Sequence, residues 1–166
     1  MKKIFLIGCV LIGFSVRAQL NFEVQVGGSN FIGYSLLTEP ITFLDSAETH
    51  GIGIQVGLGL SLHQRSLIAQ SGLHYYFKNW GIGGEISGFT PVPFSAVDRS
   101  AIDLAFIFYP NVNYTFPFVK GAYLKVSAGV LLAYSRGVRD NRPAIVWQGD
   151  PIPGIGISYG FQHRRK

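Results

Sequence analysis

The sequence predicts an all-β fold, an antiparallel up-and-down transmembrane β-barrel, and two features of its composition support this prediction. From residue 54 to residue 62, apolar residues alternate with Gln, Gly and Ser, and the same alternation returns in later segments. Hydrophobic residues make up 48% of the chain and charged residues 14%, whereas an average soluble domain carries roughly 25% charge. Beyond residue 18, however, no apolar run reaches the ~18 residues that a transmembrane helix needs. Membrane-spanning strands are the remaining way to satisfy backbone polar groups in lipid.

The first 18 residues have the features of a secretory signal peptide. Lys2 and Lys3 form a charged start, residues 4–14 are apolar or small, and Val16 and Ala18 are small residues that predict cleavage before residue 19. The predicted organisation is therefore a signal peptide over 1–18 and a barrel domain over 19–166.

The charge and cysteine content exclude several classes of function. Loss of the signal peptide leaves 11 basic residues against 9 acidic ones, so the mature net charge is only +2. No basic stripe interleaved with aromatics is present, which argues against a nucleic-acid partner. Cys9 is the single cysteine and lies in the signal peptide, so the mature chain has neither a disulfide nor a cysteine-based zinc site.

Six segments show the alternation clearly enough to be predicted as strands. The predicted strands are Leu20–Gly28, Ile52–Leu62, Ser66–Phe77, Ala101–Tyr114, Ala122–Tyr134 and Gly154–Gln162. Pro110 lacks an amide hydrogen and predicts a bulge or bend in the fourth strand. The smallest usual single-chain barrel has eight strands, so we expect a further pair within 29–50 and 79–90 if the barrel closes by itself.

The connections between the six predicted strands alternate in length. Long connections at 29–50, 79–99 and 135–153 alternate with short turns at 63–65 and 116–120. Outer-membrane barrels have long extracellular loops and short periplasmic turns. With the N-terminus in the periplasm, the pattern places all three long connections outside the cell and both short turns in the periplasm.

In each predicted strand, the residues between the apolar ones form the other face, and the composition of that face indicates which side meets lipid. That face is dominated by Gly, Ser, Gln and Asn, and Glu23, Asp103 and Lys125 are nearly its only charges. A soluble barrel needs a charged exterior, so we expect the apolar face to point outward and the three charges to pair inside. A soluble, lipocalin-like periplasmic barrel, with the opposite sense, is the alternative. Aromatic residues near strand ends, such as Tyr75, Trp80 and Phe116, fit an interfacial girdle or an ordinary core.

No catalytic, cofactor-binding or metal-binding residues are predicted. His63, His74 and Asp103, with a serine, could in principle form the site of a membrane-embedded lipid hydrolase, but no serine lies in an elbow motif. His50 and His163 are too scattered to indicate a metal site, and the glycines at 81–84 lack the lysine of a phosphate loop. Arg136, Arg139 and Arg142 fit either phosphate groups of lipopolysaccharide or an ordinary solvated loop.

Four segments carry a resemblance to a known family, and three of them lie between residues 51 and 134. They are Gly-Ile-Gly-Ile-Gln-Val-Gly-Leu from residue 51, Gly-Leu-His-Tyr-Tyr from residue 72, Ile-Asp-Leu-Ala-Phe-Ile-Phe-Tyr-Pro from residue 102, and the final Gly-Ile-Ser-Tyr-Gly-Phe from residue 156. The pattern resembles the small porin-like outer-membrane β-barrel domains of the OmpA/OmpX type. In that family the last strand serves assembly, although here His163–Lys166 follow the final aromatic.

The resemblance implies a non-enzymatic barrel in the cell outer membrane, with a structural, adhesive or accessory role. It implies contact with outer-membrane lipid and lipopolysaccharide, and with the barrel-assembly machinery, and it implies no cofactor. A protein partner or a second copy would be needed to close the barrel if only six strands form.

Overall fold

A computed structural model describes residues 18–63, 66–90, 104–118, 121–139 and 142–164. For residues 18, 137–139, 142–144 and 163–164 the structure describes the backbone alone. The predicted signal peptide lies almost entirely outside the described residues. The strands are β1 Ala18–Gly27, β2 Gly33–Phe43, β3 His50–Ser61, β4 Ser66–Phe77, β5 Trp80–Thr90, β6 Leu104–Pro117, β7 Ala122–Arg139, β8 Arg142–Trp147 and β9 Ile152–Arg164.

These strands form a closed, antiparallel, up-and-down barrel, which confirms the predicted fold class. Each strand pairs with its neighbour in sequence from β1 to β7, and β9 pairs with both β7 and β1 to close the cylinder. The long strand β7 pairs with β9 along residues 122–131 and with β8 along residues 134–139. Strands β8 and β9 therefore occupy one position in the barrel, interrupted around residues 148–151, and the barrel has eight positions.

Two of the eight strands, β2 and β5, were not among the six predicted ones, and both lie where the missing pair was expected. Strand β2 carries large apolar residues on both faces, with Leu36 outside and Leu37 inside, so its alternation is blurred. Strand β5 contains four glycines, which resemble loop punctuation in sequence but here pair regularly with β4 and β6. The closed ring of eight needs no partner strand.

The two added strands change the end of the barrel at which each connection lies. We call the base the end where β1 begins and β9 ends, and the rim the opposite end. With β2 in place, the turn around 62–65 joins β3 to β4 at the rim, whereas the connection between β6 and β7 lies at the base. The predicted grouping of 63–65 with 116–120 at one end is wrong, because each added strand reverses the direction of those that follow it. The predicted long loop 135–153 is mostly strand, in β7, β8 and the first residues of β9.

Proline 110 lies within β6 opposite Gly84 of β5. The pairing of β6 with β7 keeps its register on both sides of this proline, and the irregularity occurs instead between Leu104 and Phe106. Of the bulge or bend predicted at Pro110, the bulge is therefore wrong in position. The absent amide hydrogen is accommodated without a shift in register.

The connection between β1 and β2 folds back into the barrel. Its short 3-10 turn, Gly28–Asn30, packs against β1, β2, β3, β5, β6, β7 and β9. Gly27 and Gly28 have φ angles of 73° and 59°, a region that glycine enters without steric cost and that lets the chain turn sharply inward. Ser29 and Asn30 are fully buried as a result, so the turn closes the lumen from the rim side.

The two faces of the sheet differ in character around the whole circumference. Leu36, Leu58 and Ile155 are 65%, 72% and 69% exposed, and apolar side chains cover the outer surface of every strand from β1 to β7 and of β9. The lumen contains Gln, Asn, Ser, Glu, His and Lys side chains, with a smaller apolar cluster of Ile68, Phe89, Leu104, Ile107, Tyr109 and Leu131 toward the rim. The described barrel is thus apolar outside and largely polar inside.

Candidate functional site in the lumen

The lumen is the candidate functional site because it collects the buried ionisable side chains of the described residues. Alternation in the strands directs Glu23 from β1, Glu39 from β2, His74 from β4, Glu85 from β5 and Lys125 from β7 to the inside. All five are less than 5% exposed. Charges buried this deeply are stable only when they are paired and hydrogen-bonded, so their partners decide what the lumen can do.

Lys125 lies between two carboxylates near the base. Its Nζ is 2.7 Å from Oε1 of Glu23 and 3.2 Å from Oε2 of Glu39. The Tyr123 hydroxyl donates to Oε1 of Glu23 at 2.7 Å, and the Tyr76 hydroxyl donates to Oε1 of Glu39 at 2.7 Å. One ammonium and two phenols thus hold together four strands, β1, β2, β4 and β7.

His74 connects this group to a third carboxylate, that of Glu85. Its Nδ1 is 3.0 Å from Oε1 of Glu39, and its Nε2 lies 3.6 Å from Oε1 of Glu85 without a hydrogen bond of good geometry. Both ring nitrogens therefore face carboxylates. The arrangement supports the charge balance of the lumen, whereas a serine hydrolase requires a hydroxyl on one of those nitrogens.

Glu85 ties the inserted turn to the barrel wall. Its Oε2 accepts hydrogen bonds from Ser29 Oγ at 2.9 Å, Gln70 Nε2 at 2.9 Å and Gln25 Nε2 at 3.1 Å. Its Oε1 accepts from Asn111 Nδ2 at 3.2 Å. Four donors satisfy this carboxylate at mid-height, where the side chains fill the lumen.

Glycines on neighbouring strands make room for the large lumenal groups. A Cβ at Gly53 would come within 2.7 Å of the Glu39 carboxylate, and a Cβ at Gly160 within 2.7 Å of the Tyr123 ring. Narrow barrels commonly fill their interior by alternating small and large residues in this way. The glycine-rich inner face seen in the sequence is therefore the complement of the charged cluster.

Below the Lys125 group, a cavity of about 740 Å³ opens at the base. Glu23, Glu39 and Lys125 form its inner end, and Gln19 lies on its wall. Two buried acceptor atoms of these lining residues, Oε2 of Glu23 and Oε1 of Gln19, have no hydrogen-bond partner. Charged, amide and apolar side chains line this cavity together, and we call it the vestibule.

The structure separates the predicted candidate residues. Glu23 and Lys125 pair inside the lumen as expected, while Asp103 lies outside the described residues. His63 lies at the rim with its ring 5.7 Å from the Phe31 ring, far along the barrel from His74. Arg136 donates to the backbone carbonyls of Leu104 and Phe89, so its guanidinium bridges strands at the rim.

Sequence reasoning missed Glu39 and Glu85, so the expectation that Glu23, Asp103 and Lys125 are nearly the only inner charges is wrong. Both residues lie in the two strands that were read as connections. The available signal for Glu39 was that it lies in one series of alternate positions with Ser35, Leu37 and Ile41. Glu85 stands alone among glycines and serine, and no pattern in the sequence marks it as a lumenal residue.

No helix among the described residues has the length and apolar character of a membrane span. Among them, no group of three His, Cys, Asp or Glu side chains is arranged to hold a metal ion. A comparison with protein-family models, curated proteins and solved structures finds no match to this chain.

Proposed function

We propose that this protein is an integral outer-membrane β-barrel of the small OmpA/OmpX-like kind, with a filled lumen and a structural, adhesive or accessory role in the cell envelope. The observation that carries the proposal is the sidedness of the barrel. Its outer surface is apolar around the whole circumference, and its buried charges lie inside. Lipid is the solvent that matches such a surface.

The extent of the apolar surface supports lipid contact over contact with water. Outward residues on neighbouring strands are contiguous, as in the pairs Leu36–Leu58 and Ile54–Leu73. Each of these four side chains is more than half exposed. Soluble monomers rarely expose contiguous apolar patches larger than a few hundred Å².

Strand length and aromatic position also fit a membrane. Strands β1–β5 have 10 to 12 residues, close to the ~9–11 that a tilted strand needs to cross the hydrocarbon core. At the base, the rings of Trp80, Tyr114 and Phe116 pack with centroids 4.8 and 4.7 Å apart. Near the rim, Tyr134 packs against Phe106 and Trp147. Aromatic residues at both ends are typical of interfacial girdles.

The two alternative functions fit the geometry less well. A lipocalin-like barrel encloses an apolar cavity and shows water a polar surface, the reverse of this arrangement. A lipid hydrolase needs a nucleophile on His74, but both nitrogens of His74 face carboxylates. The inserted turn and the Glu85 network fill the lumen at mid-height, which favours a structural role over conduction.

Cell fractionation followed by gel migration with and without boiling tests the proposal. We expect recovery with the outer membrane and a heat-modifiable, strand-rich band. The proposed contacts with lipid, lipopolysaccharide and the assembly machinery would follow from that location, with the base toward the periplasm. Recovery as a soluble periplasmic protein would overturn the proposal.

A further inference from the structure

The lumen holds a second cavity near the rim, at the opposite end from the vestibule. Its volume is about 190 Å³, and six of its eight lining residues are apolar. Leu104, Ile107 and Leu131 are only 6%, 1% and 5% exposed, so they form its floor. The two polar lining residues, His63 and Gln148, are both exposed at the rim. Because an apolar floor gives water few hydrogen-bond partners, the cavity favours an apolar occupant.

A notch in the barrel wall lies beside this rim cavity. Strand β1 ends at Gly27, which pairs with Gly156 of β9, and the chain then turns into the lumen. On the rim side of that pair, Ile152–Ile155 and strand β8 pair with β7 alone among the described residues. The wall therefore has a notch beyond the end of β1, between β9 and the start of β2.

The rim cavity borders this notch from the inside. Ile152 of β9, which is 47% exposed, and Phe31, in the connection between β1 and β2, line the cavity from the two sides of the notch. On the outer face, Val26 of β1 and Ile155 of β9 lie next to the notch and are 58% and 69% exposed. The apolar outer surface of the barrel thus continues up to the notch, and an apolar chain on that surface can reach the cavity without crossing a polar barrier.

The volume of the rim cavity limits how much of a molecule it can hold. An apolar cavity of ~150 Å³ binds benzene, so about 190 Å³ has room for roughly six to eight carbon atoms. Sites for whole small molecules are usually larger, ~300–1,000 Å³, so the rest of the ligand must stay outside. From the floor, the notch and the volume together, we propose that the rim cavity holds the end of one hydrocarbon chain of a membrane lipid, which enters sideways through the notch. This proposal rests on the membrane location proposed above.

Photocrosslinking from a labelled lipid tests the proposal. The protein is folded into phosphatidylcholine vesicles that contain a small fraction of a phosphatidylcholine with a diazirine at the end of one acyl chain. After illumination, mass spectrometry of the digested protein locates the modified residues. We expect adducts on Ile107 or Leu131 in the floor of the cavity, in addition to adducts on outward residues such as Ile54 and Leu73. The outward adducts are the internal standard for contact with lipid.

A matched pair of substitutions locates the chain in the cavity. Ala133→Leu adds volume to the cavity wall, whereas Ala128→Leu makes the same change at an exposed position of the same strand. We expect Ala133→Leu to lower the yield of floor adducts, relative to outward adducts, by roughly fivefold or more, because the larger side chain takes the space of the lipid chain. Ala128→Leu should leave that ratio unchanged. The adduct map of the unchanged protein carries the test if Ala133→Leu does not fold.

The outcomes separate this inference from the proposed membrane location. Outward adducts without adducts on Ile107 or Leu131 would overturn the inference and leave the membrane location intact. Equal ratios of floor to outward adducts in the Ala133→Leu and Ala128→Leu proteins would also overturn it. If outward adducts are missing as well, the barrel does not meet lipid, and the proposed function falls together with the inference.

Discussion

At the scale of single residues, Lys125 is the side chain on which the buried charges of the lumen depend. Its ammonium group is the only buried Lys or Arg cation in the described part of the chain. It pairs with the carboxylate of Glu23 and shares the carboxylate of Glu39 with His74. Removing one partner of a buried ion pair leaves an uncompensated charge, which costs far more than the pair contributes.

We therefore expect Lys125→Met to lower the free energy of unfolding by about 3–5 kcal/mol, measured by denaturant titration of the refolded protein in detergent. The matched control is Lys78→Met. Lys78 lies at a turn near the base with its Nζ 5.4 Å from the centre of the Phe77 ring, so its loss should cost no more than about 0.5–1 kcal/mol. Equal unfolding midpoints for the two variants would contradict the assigned role of Lys125.

At the scale of strands, close backbone approach fixes how β6 and β7 pair. A Cβ at Gly129 would lie 2.1 Å from the carbonyl oxygen of Pro110 and 2.9 Å from the Cα of Asn111. These are backbone atoms of a paired strand, so they cannot move aside without loss of pairing. Glycine at 129 is therefore what allows β7 to approach the backbone of β6 this closely.

Gly129→Ala should destabilise the barrel by about 1–3 kcal/mol, the usual cost of overpacking, in the same denaturant titration. Gly88→Ala is the control within a strand, because the nearest atom to its Cβ would be the Ala69 carbonyl oxygen at 3.9 Å. That change should be close to neutral, within about 0.5 kcal/mol. A Gly129→Ala protein as stable as Gly88→Ala would contradict the close approach of β6 and β7 at this position.

At the scale of the whole molecule, the surrounding solvent decides what an outward charge costs. Ile54 is 56% exposed in the middle of β3, and Leu44 is 59% exposed in the turn after β2. In water both positions would tolerate arginine with changes within about 0.5 kcal/mol. In a membrane, arginine near the midplane costs about 2–4 kcal/mol, and the cost falls toward zero at the interfaces.

Ile54→Arg should therefore lose about 2–4 kcal/mol of folding free energy in lipid vesicles, while Leu44→Arg should change little. The measurement is reversible unfolding of vesicle-folded protein, followed by tryptophan fluorescence. Similar small effects at both positions would argue for an aqueous surface and against the proposed membrane location.

The sequence by itself determined the fold class and the direction of the strand faces, because both follow from local alternation. Residues 54–62 predict an outward apolar face without any knowledge of their neighbours, and the structure has Ile54, Val56 and Leu58 exposed. The pairing of Glu23 with Lys125 was also predicted, since few charges were visible on the inner face.

Only the tertiary structure decided the strand count, the ends to which the turns belong, and the composition of the lumenal cluster. Strand β2 has apolar residues on both faces and β5 is rich in glycine, so neither shows clean alternation, and their partners supply what the local pattern lacks. Glu39 and Glu85 reach Lys125 and His74 only because closure and register place β2, β4, β5 and β7 around one narrow lumen. Such contacts join residues up to 86 positions apart, and no periodicity along the chain encodes that distance.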